Sequence, residues 1–212
     1  IKENPVKDLD SPKLKKTLPK YLTLEESVQL LSSVDGQNRE RDYCILTLFL
    51  NCGLRISELC ALNTTDIQDD ALRVLGKGNK VRIVYLNDAC KEALNGYLAV
   101  RRPIVGRDQN ALFLSSRNER VSRSTVHALV KKHLGEAGLD STQYSAHKLR
   151  HTAATLMLQN GVDVKAVQEV LGHEHLNTTE IYTHIDNEAL RVAAKANPLS
   201  RVKPPKKNEA GK

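Results

Sequence analysis

The sequence contains no apolar run of membrane length. Its most apolar stretch, residues 44–50, is far shorter than the ~20 residues a spanning helix needs, so these residues hold no candidate membrane span. No apolar, positively flanked leader opens the chain. Residue 1 is Ile and the only methionine is Met157, so we expect the numbering to begin inside a longer natural chain. Cysteine is scarce: Cys44, Cys52, Cys60 and Cys90, none in a C-x-x-C pair. The first three recur every eight residues inside apolar, helix-like stretches. That spacing argues against a zinc site or a disulfide scaffold, and for small buried hydrophobes in a reducing cytosol. Tryptophan is absent and there are only six tyrosines, so a tyrosine set among polar neighbours stands out. No internal repeat is present.

What remains is a globular composition. The 212 residues are 40% hydrophobic and 27% charged, enough for one large domain with a real core. The net charge of +7 is unevenly spread: residues 1–20 carry +3 and residues 191–212 carry +6, leaving −2 for residues 21–190. A nucleic-acid surface on the central fold must therefore come from clustering of cations and not from bulk charge.

Residues 1–20, rich in lysine and containing Pro5, Pro12 and Pro19, read as a basic interdomain linker. A domain over residues 21–197 follows. Thr23 and Glu26 have capping-box spacing and open a helix. A second helix is expected over Arg39–Asn51, stopped by Gly53, and a short third over Ile56–Leu62. The pattern then switches to two β-rich segments, Ala71–Leu75 and Val81–Leu86. They flank Gly76-Lys77-Gly78-Asn79-Lys80 and read as a hairpin with a glycine-rich tip; Asp66–Gln68 is a candidate third strand. Helical spacing returns over Asp88–Val100, from a Ser122 cap to Ala137, from a Ser145 cap to Gln159, and over Asp163–Leu171, Thr178–Thr183 and Asn187–Ala196. A flexible basic tail is expected over 198–212. The fold class is mainly α with a small antiparallel β-sheet.

Three segments are chemically dense. His147 and Arg150 stand at i and i+3 of one expected helix and share a face; a cation beside a titratable group suits a phosphate, although a solvated basic helix face explains the same pattern. Gly172 breaks a helix at His173, and Tyr182 follows nine residues later; alone, it reads first as an amphipathic surface tyrosine. His173, His175 and His184 match no common zinc spacing. Arg55 and Glu58, at i and i+3 after the Gly53 stop, read alone as a surface ion pair of little energetic weight.

In this order, "GLRISEL", "LGKGNKVR", "HKLRHTAAT" and "LGHEHLNTTEIYTH" resemble the tyrosine recombinases, the lambda-integrase-like phage integrases, and most closely the Xer and conjugative-transposon integrase branch. The resemblance spans about Leu22 to Glu188. It implies the tyrosine recombinase catalytic-domain fold and an active site of Arg55, Lys77, His147, Arg150, His173 and Tyr182. Lys80 is the rival for Lys77, which is preferred because the family motif places its lysine between the two glycines. Glu58, Lys148, His151 and Arg123 are candidates for supporting the site or touching DNA. The implied reaction cuts and rejoins DNA through a 3′-phosphotyrosyl intermediate with no cofactor, metal or ATP. The implied partners are double-stranded DNA with paired recombination sites and three further copies of the chain, in a homotetramer joined by exchange of the helix near 187–196. An N-terminal DNA-clamping domain is expected ahead of this segment, and the expected location is the bacterial cytoplasm, on the nucleoid. The lysine-rich tail and the "KLRHTAAT" wording favour a mobile-element integrase. A Xer-type chromosome dimer resolvase, a type IB topoisomerase-like enzyme or telomere resolvase, and a non-catalytic DNA-binding protein are the alternatives.

Overall fold

The chain's most apolar segment becomes its central helix. A computed structural model describes residues 20–76, 78, 80–103, 108–172 and 187–205. Helix α1 (Leu24–Ser32) begins with the expected reciprocal cap: Glu26 N–H donates to Thr23 Oγ1 at 3.1 Å, and Thr23 N–H to Glu26 Oε2 at 2.8 Å. Helix α2 (Arg39–Cys52) is buried from Arg41 through Cys52. Ile45, Leu46, Leu48, Phe49 and Leu50 are fully enclosed, and each such side chain contributes about 1.5–3 kcal/mol by leaving water. Gly53 ends the helix in the left-handed conformation with φ of 58°. Helix α3 (Ile56–Ala61) follows immediately.

A three-stranded antiparallel sheet comes next, in the order β1 (Ile67–Gln68), β2 (Ala71–Leu75), β3 (Val81–Tyr85). Leu72 pairs with Val84 and Val74 with Arg82, so Leu72, Val74, Arg82 and Val84 share the face turned to the protein. Leu75, Val81 and Ile83 on the other face are exposed. Helices α4 (Asp88–Val100) and α6 (Ala146–Gln159) lie against α2. Helix α5 (Arg123–Glu136), capped by Ser122, is tied to α2 by the His133 ring, whose Nε2 lies 3.0 Å from the Asp42 carboxylate. Ser145 stands at the start of α6 but its side chain forms no cap there. Helix α7 (Val164–Leu171), capped by Asp163, ends at Gly172 with φ of 64°.

The C-terminal segment corrects one expectation. Composition predicts a flexible tail from residue 198, yet Pro198–Arg201 form a 3-10 turn. Leu199 enters the main core and Asn197 Nδ2 donates to the Leu50 carbonyl at 3.0 Å; a proline–leucine pair beside a capping asparagine outweighs the basic, proline-rich composition that follows. Helix α8 (Asn187–Ala196), expected to reach a neighbouring subunit, lies in this single chain on its own α7 and β3. Leu190 and Ala193 cluster there with Met157, Val167, Val170 and Leu171, and Arg191 sits over the Tyr85 ring at 4.7 Å and on Asp70 at 2.8 Å. All four cysteines are free and buried, with Cys52 Sγ 3.7 Å from Cys90 Sγ. No helix among the described residues is long and apolar enough to cross a membrane. The expected short helix over Thr178–Thr183 lies outside the described residues.

Candidate active site

Two left-handed glycines bring the site together. Gly53 ends α2 and Gly172 ends α7, and a positive φ is tolerated at little cost only by glycine. A Cβ on Gly53 would stand 2.3 Å from Leu171 Cδ2 and 3.7 Å from Arg150 Cγ. The two helix ends therefore abut, and the side chains that follow each stop are drawn to one place.

Arg55 sits two residues after Gly53 at the start of α3. Its backbone N–H donates to Glu58 Oε2 and its Nη1 to Glu58 Oε1, both at 2.8 Å. Its Nη2 reaches across the fold to the Gly172 carbonyl at 2.9 Å. The Arg55 side chain keeps 36% of its surface exposed, so an incoming anion can reach it. Arg150 is the opposite: it is only 6% exposed. It projects from α6, where Leu149, Ala153 and Leu156 fill the core. Its Nη1 donates to the Gly53 carbonyl and its Nη2 to the Leu171 carbonyl at 2.6 Å. Burial, together with the positive charge of Arg55, brings its pKa down to about 10, which still leaves it charged at neutral pH. The buried fork rules out a merely solvated basic face for this residue. His147, one turn earlier, is exposed.

Glu58 is the carboxylate of the cluster and is almost fully buried. Burial pushes its carboxyl up; hydrogen bonds and charge from Arg82, with the bonds from Arg55, outweigh that and hold it at about 2. Arg82 ends the "LGKGNKVR" segment but has no place among the site residues that the sequence suggests. It donates from Nη1 to Glu58 Oε1 at 2.7 Å and from Nη2 to Oε2 at 2.9 Å, a bidentate pair. The signal was present: Arg82 occupies an inward position of β3, two residues before the buried Val84, and a cation there needs a partner. Three guanidiniums around one carboxylate leave net positive charge in a largely buried cluster that reaches the surface at Arg55, which suits an anion such as a phosphodiester.

The structure thus brings Arg55, Arg150 and Glu58 together. Lys77, His173 and Tyr182, and with them His175 and His184, lie outside the described residues. Lys80 is exposed, and its carbonyl accepts the Gly76 N–H at 2.8 Å, closing the hairpin. Lys148 is half-buried and Arg123 is exposed on the first turn of α5. The His151 ring stands edge-on to Tyr21, with centroids 6.3 Å apart, and its pKa is lowered by burial and by Lys148 and His147.

The sequence model of the phage integrase family matches residues 20–189. The chain belongs to the phage integrase family. The chain is 56% identical over 202 residues to the tyrosine recombinase XerC of Caldanaerobacter subterraneus subsp. tengcongensis, covering 95% of the chain and 57% of that protein. The solved XerA recombinase is 34% identical with a TM-score of 0.68, over 83% of this chain and 64% of XerA. The XerH site-specific recombinase bound to its difH substrate before cleavage is 31% identical with a TM-score of 0.66, over 84% of this chain and 55% of XerH. The chain therefore spans between about half and two thirds of each of these relatives. It has the mainly helical fold with a small antiparallel sheet that these catalytic domains share.

Proposed function

We infer that this chain is the catalytic part of a tyrosine site-specific recombinase that breaks and rejoins DNA with Tyr182 as nucleophile. The observation that carries the reading is the meeting of Arg55 and Arg150, from motifs far apart in sequence, on the carbonyls of Gly172 and Leu171, directly before His173.

The chemistry follows from what a phosphodiester needs. Attack adds charge to the non-bridging oxygens, and forked hydrogen bonds from Arg55 and Arg150 strengthen as that charge grows. His173 donates a further hydrogen bond to the same oxygens. A phenol is a weak nucleophile while protonated, with an ordinary pKa of about 10; the surrounding cations favour phenolate, and the exposed His147 accepts its proton. The Tyr182 oxygen forms a bond to phosphorus as the bond to the 5′ oxygen breaks, and Lys77 supplies the proton to that leaving group. The 3′-phosphotyrosyl link keeps the energy of the original diester, so the reverse attack by a 5′-hydroxyl reseals a strand without ATP.

Between the two biological roles, 56% identity to a XerC supports a Xer-type resolvase over the mobile-element integrase expected from the tail and motif wording. Assembly as a tetramer on paired sites belongs to this reading, with α8 passing to a neighbour through the face that holds Leu190 and Ala193. The test is covalent capture from a pool of randomised nicked duplexes. Recovery of protein–DNA adducts, with captured sequences mapping to one chromosomal locus, supports the resolvase; sequences mapping to the ends of a mobile segment support the integrase. Absence of any adduct refutes the recombinase reading.

A further inference from the structure

Arg82 is the last residue of the "LGKGNKVR" segment but is not among the six active-site residues that the resemblance implies, and its role here rests on the recombinase reading. We propose that Arg82 is a positioning residue for strand cleavage: acting through Glu58 it sets the direction of the Arg55 guanidinium, and through Val170 and Gly172 it ties the β2–β3 hairpin to the turn before His173.

The geometry is a strut with three attachments. Toward α3, the Arg82 fork grips both oxygens of Glu58 at 2.7 and 2.9 Å. Toward α7, its Nε donates to the Val170 carbonyl at 3.3 Å. Above it lies Gly172, so close that a Cβ there would stand 3.1 Å from the Arg82 Cδ, Nε and Nη1. Its third attachment is its own strand, the inward edge of the hairpin that carries Lys77.

The consequence for Arg55 follows from competition for one carboxylate. Glu58 accepts four bonds, two from Arg82 and two from Arg55. With Arg82 in place, the Arg55 side chain has a single contact to Glu58, through Nη1, and its Nη2 is aimed at the Gly172 carbonyl. Without Arg82, the vacated carboxylate lone pairs draw Arg55 into a fork of its own. The donors needed for a phosphate are then spent on Glu58, and the Gly172 turn loses the side chain it rests on. Replacement by an uncharged residue also leaves Glu58 buried with less compensation, so its carboxyl rises. The charged groups facing Glu58 are Arg55 on α3, Arg82 on β3 and Arg150 on α6; α7 presents the Leu171 and Gly172 carbonyls to the same arginines.

The test uses the full-length protein and a nicked duplex that the wild-type protein has captured covalently from a randomised pool. Arg82→Met is expected to slow single-turnover adduct formation about 30- to 100-fold, with non-covalent affinity for that duplex, measured in the Tyr182→Phe background, within about threefold. The acid side of its rate profile moves to higher pH, and that movement disappears when Glu58→Gln is added. Arg82→Lys, which keeps a charge without the fork, recovers part of the rate. If Arg82→Met does not fold, Arg82→Lys decides: slowing of about fivefold or more at unchanged affinity supports the proposal, and a wild-type rate overturns it. An Arg82→Met rate within about threefold of wild type, or rate and affinity falling together with an unmoved pH profile, overturns this proposal alone. Failure of the wild-type protein to capture any duplex overturns the recombinase reading and this proposal with it.

Discussion

Arg55 and Arg150 end on adjacent carbonyls. Arg150 Nη2 donates to Leu171 O at 2.6 Å, and Arg55 Nη2 to Gly172 O at 2.9 Å. The last residue of α7 and the glycine that stops it are thus held from two sides. Both guanidiniums are oriented by the protein's own acceptors before any anion arrives, which is the condition under which electrostatic stabilisation costs no rearrangement during reaction.

Replacing Arg150 by Lys keeps a charge but loses the fork. The Gly53 and Leu171 carbonyls cannot both be reached by one ammonium in the same geometry. We expect a stability loss of about 1–3 kcal/mol by urea denaturation and adduct formation slowed by about 100-fold or more. A rate near wild type from a folded Arg150→Lys protein would remove Arg150 from the site.

The Glu58 carboxyl, held at about 2 by Arg82 and Arg55 against the opposing effect of burial, makes a pH-dependent contribution to stability. A carboxyl depressed in the folded state stabilises fully above its unfolded value, near 4.5, and that contribution fades as pH falls toward 2. Glu58→Gln is therefore expected to cost on the order of 3 kcal/mol at neutral pH, and the gap to wild type is expected to narrow between pH 5 and pH 3. Urea midpoints across that range check it; a gap independent of pH contradicts the ion-pair assignment.

Gly53→Ala combines a left-handed backbone with a crowded neighbour. The φ of 58° is costly for any residue with a Cβ, and the added methyl meets Leu171 Cδ2, the end of a side chain that can shift. A loss of about 1–3 kcal/mol is expected, together with a slower adduct rate, because the Gly53 carbonyl receives Arg150 Nη1. Equal rates in Gly53→Ala and wild type would show that the carbonyl's position is immaterial.

Leu199→Ala tests the packed start of the C-terminal segment. Leu199 is fully enclosed in the main core, so truncation to Ala is expected to cost about 2–4 kcal/mol while leaving the adduct rate per folded molecule unchanged. A cost below about 0.5 kcal/mol would return residue 199 to a loose tail.

Much of this was legible in the sequence because the signals are local. The Thr23–Glu26 cap, the Gly53 and Gly172 stops and the alternation around the Gly76–Lys80 turn each lie within a few residues of what they determine. The convergence of Arg55 with Arg150 was not readable from composition or spacing, since it depends on two helix ends abutting; only the motif resemblance anticipated it. Arg82 closes the "LGKGNKVR" segment yet takes no role from it, because an arginine in a short strand looks like surface. Its partner Glu58 is 24 positions away and is reached only when β3 folds over α3. The packed start of the C-terminal segment is hidden for the converse reason: a local Asn197–Pro198–Leu199 turn is visible in the sequence, but that Leu199 enters the main core depends on α2 and α4 lying beside it.

Attack of the Tyr182 phenol oxygen on a DNA phosphate leaves a covalent bond whose position can be mapped. Full-length protein is trapped on its captured nicked duplex, digested, and the nucleotide-bearing peptide identified by mass spectrometry. The expected result is a 3′-phosphate joined to Tyr182, a free 5′-hydroxyl on the departing strand, and no adduct from Tyr182→Phe. A bond to any other side chain, a 5′-phosphate linkage, or undiminished adduct from Tyr182→Phe would contradict it.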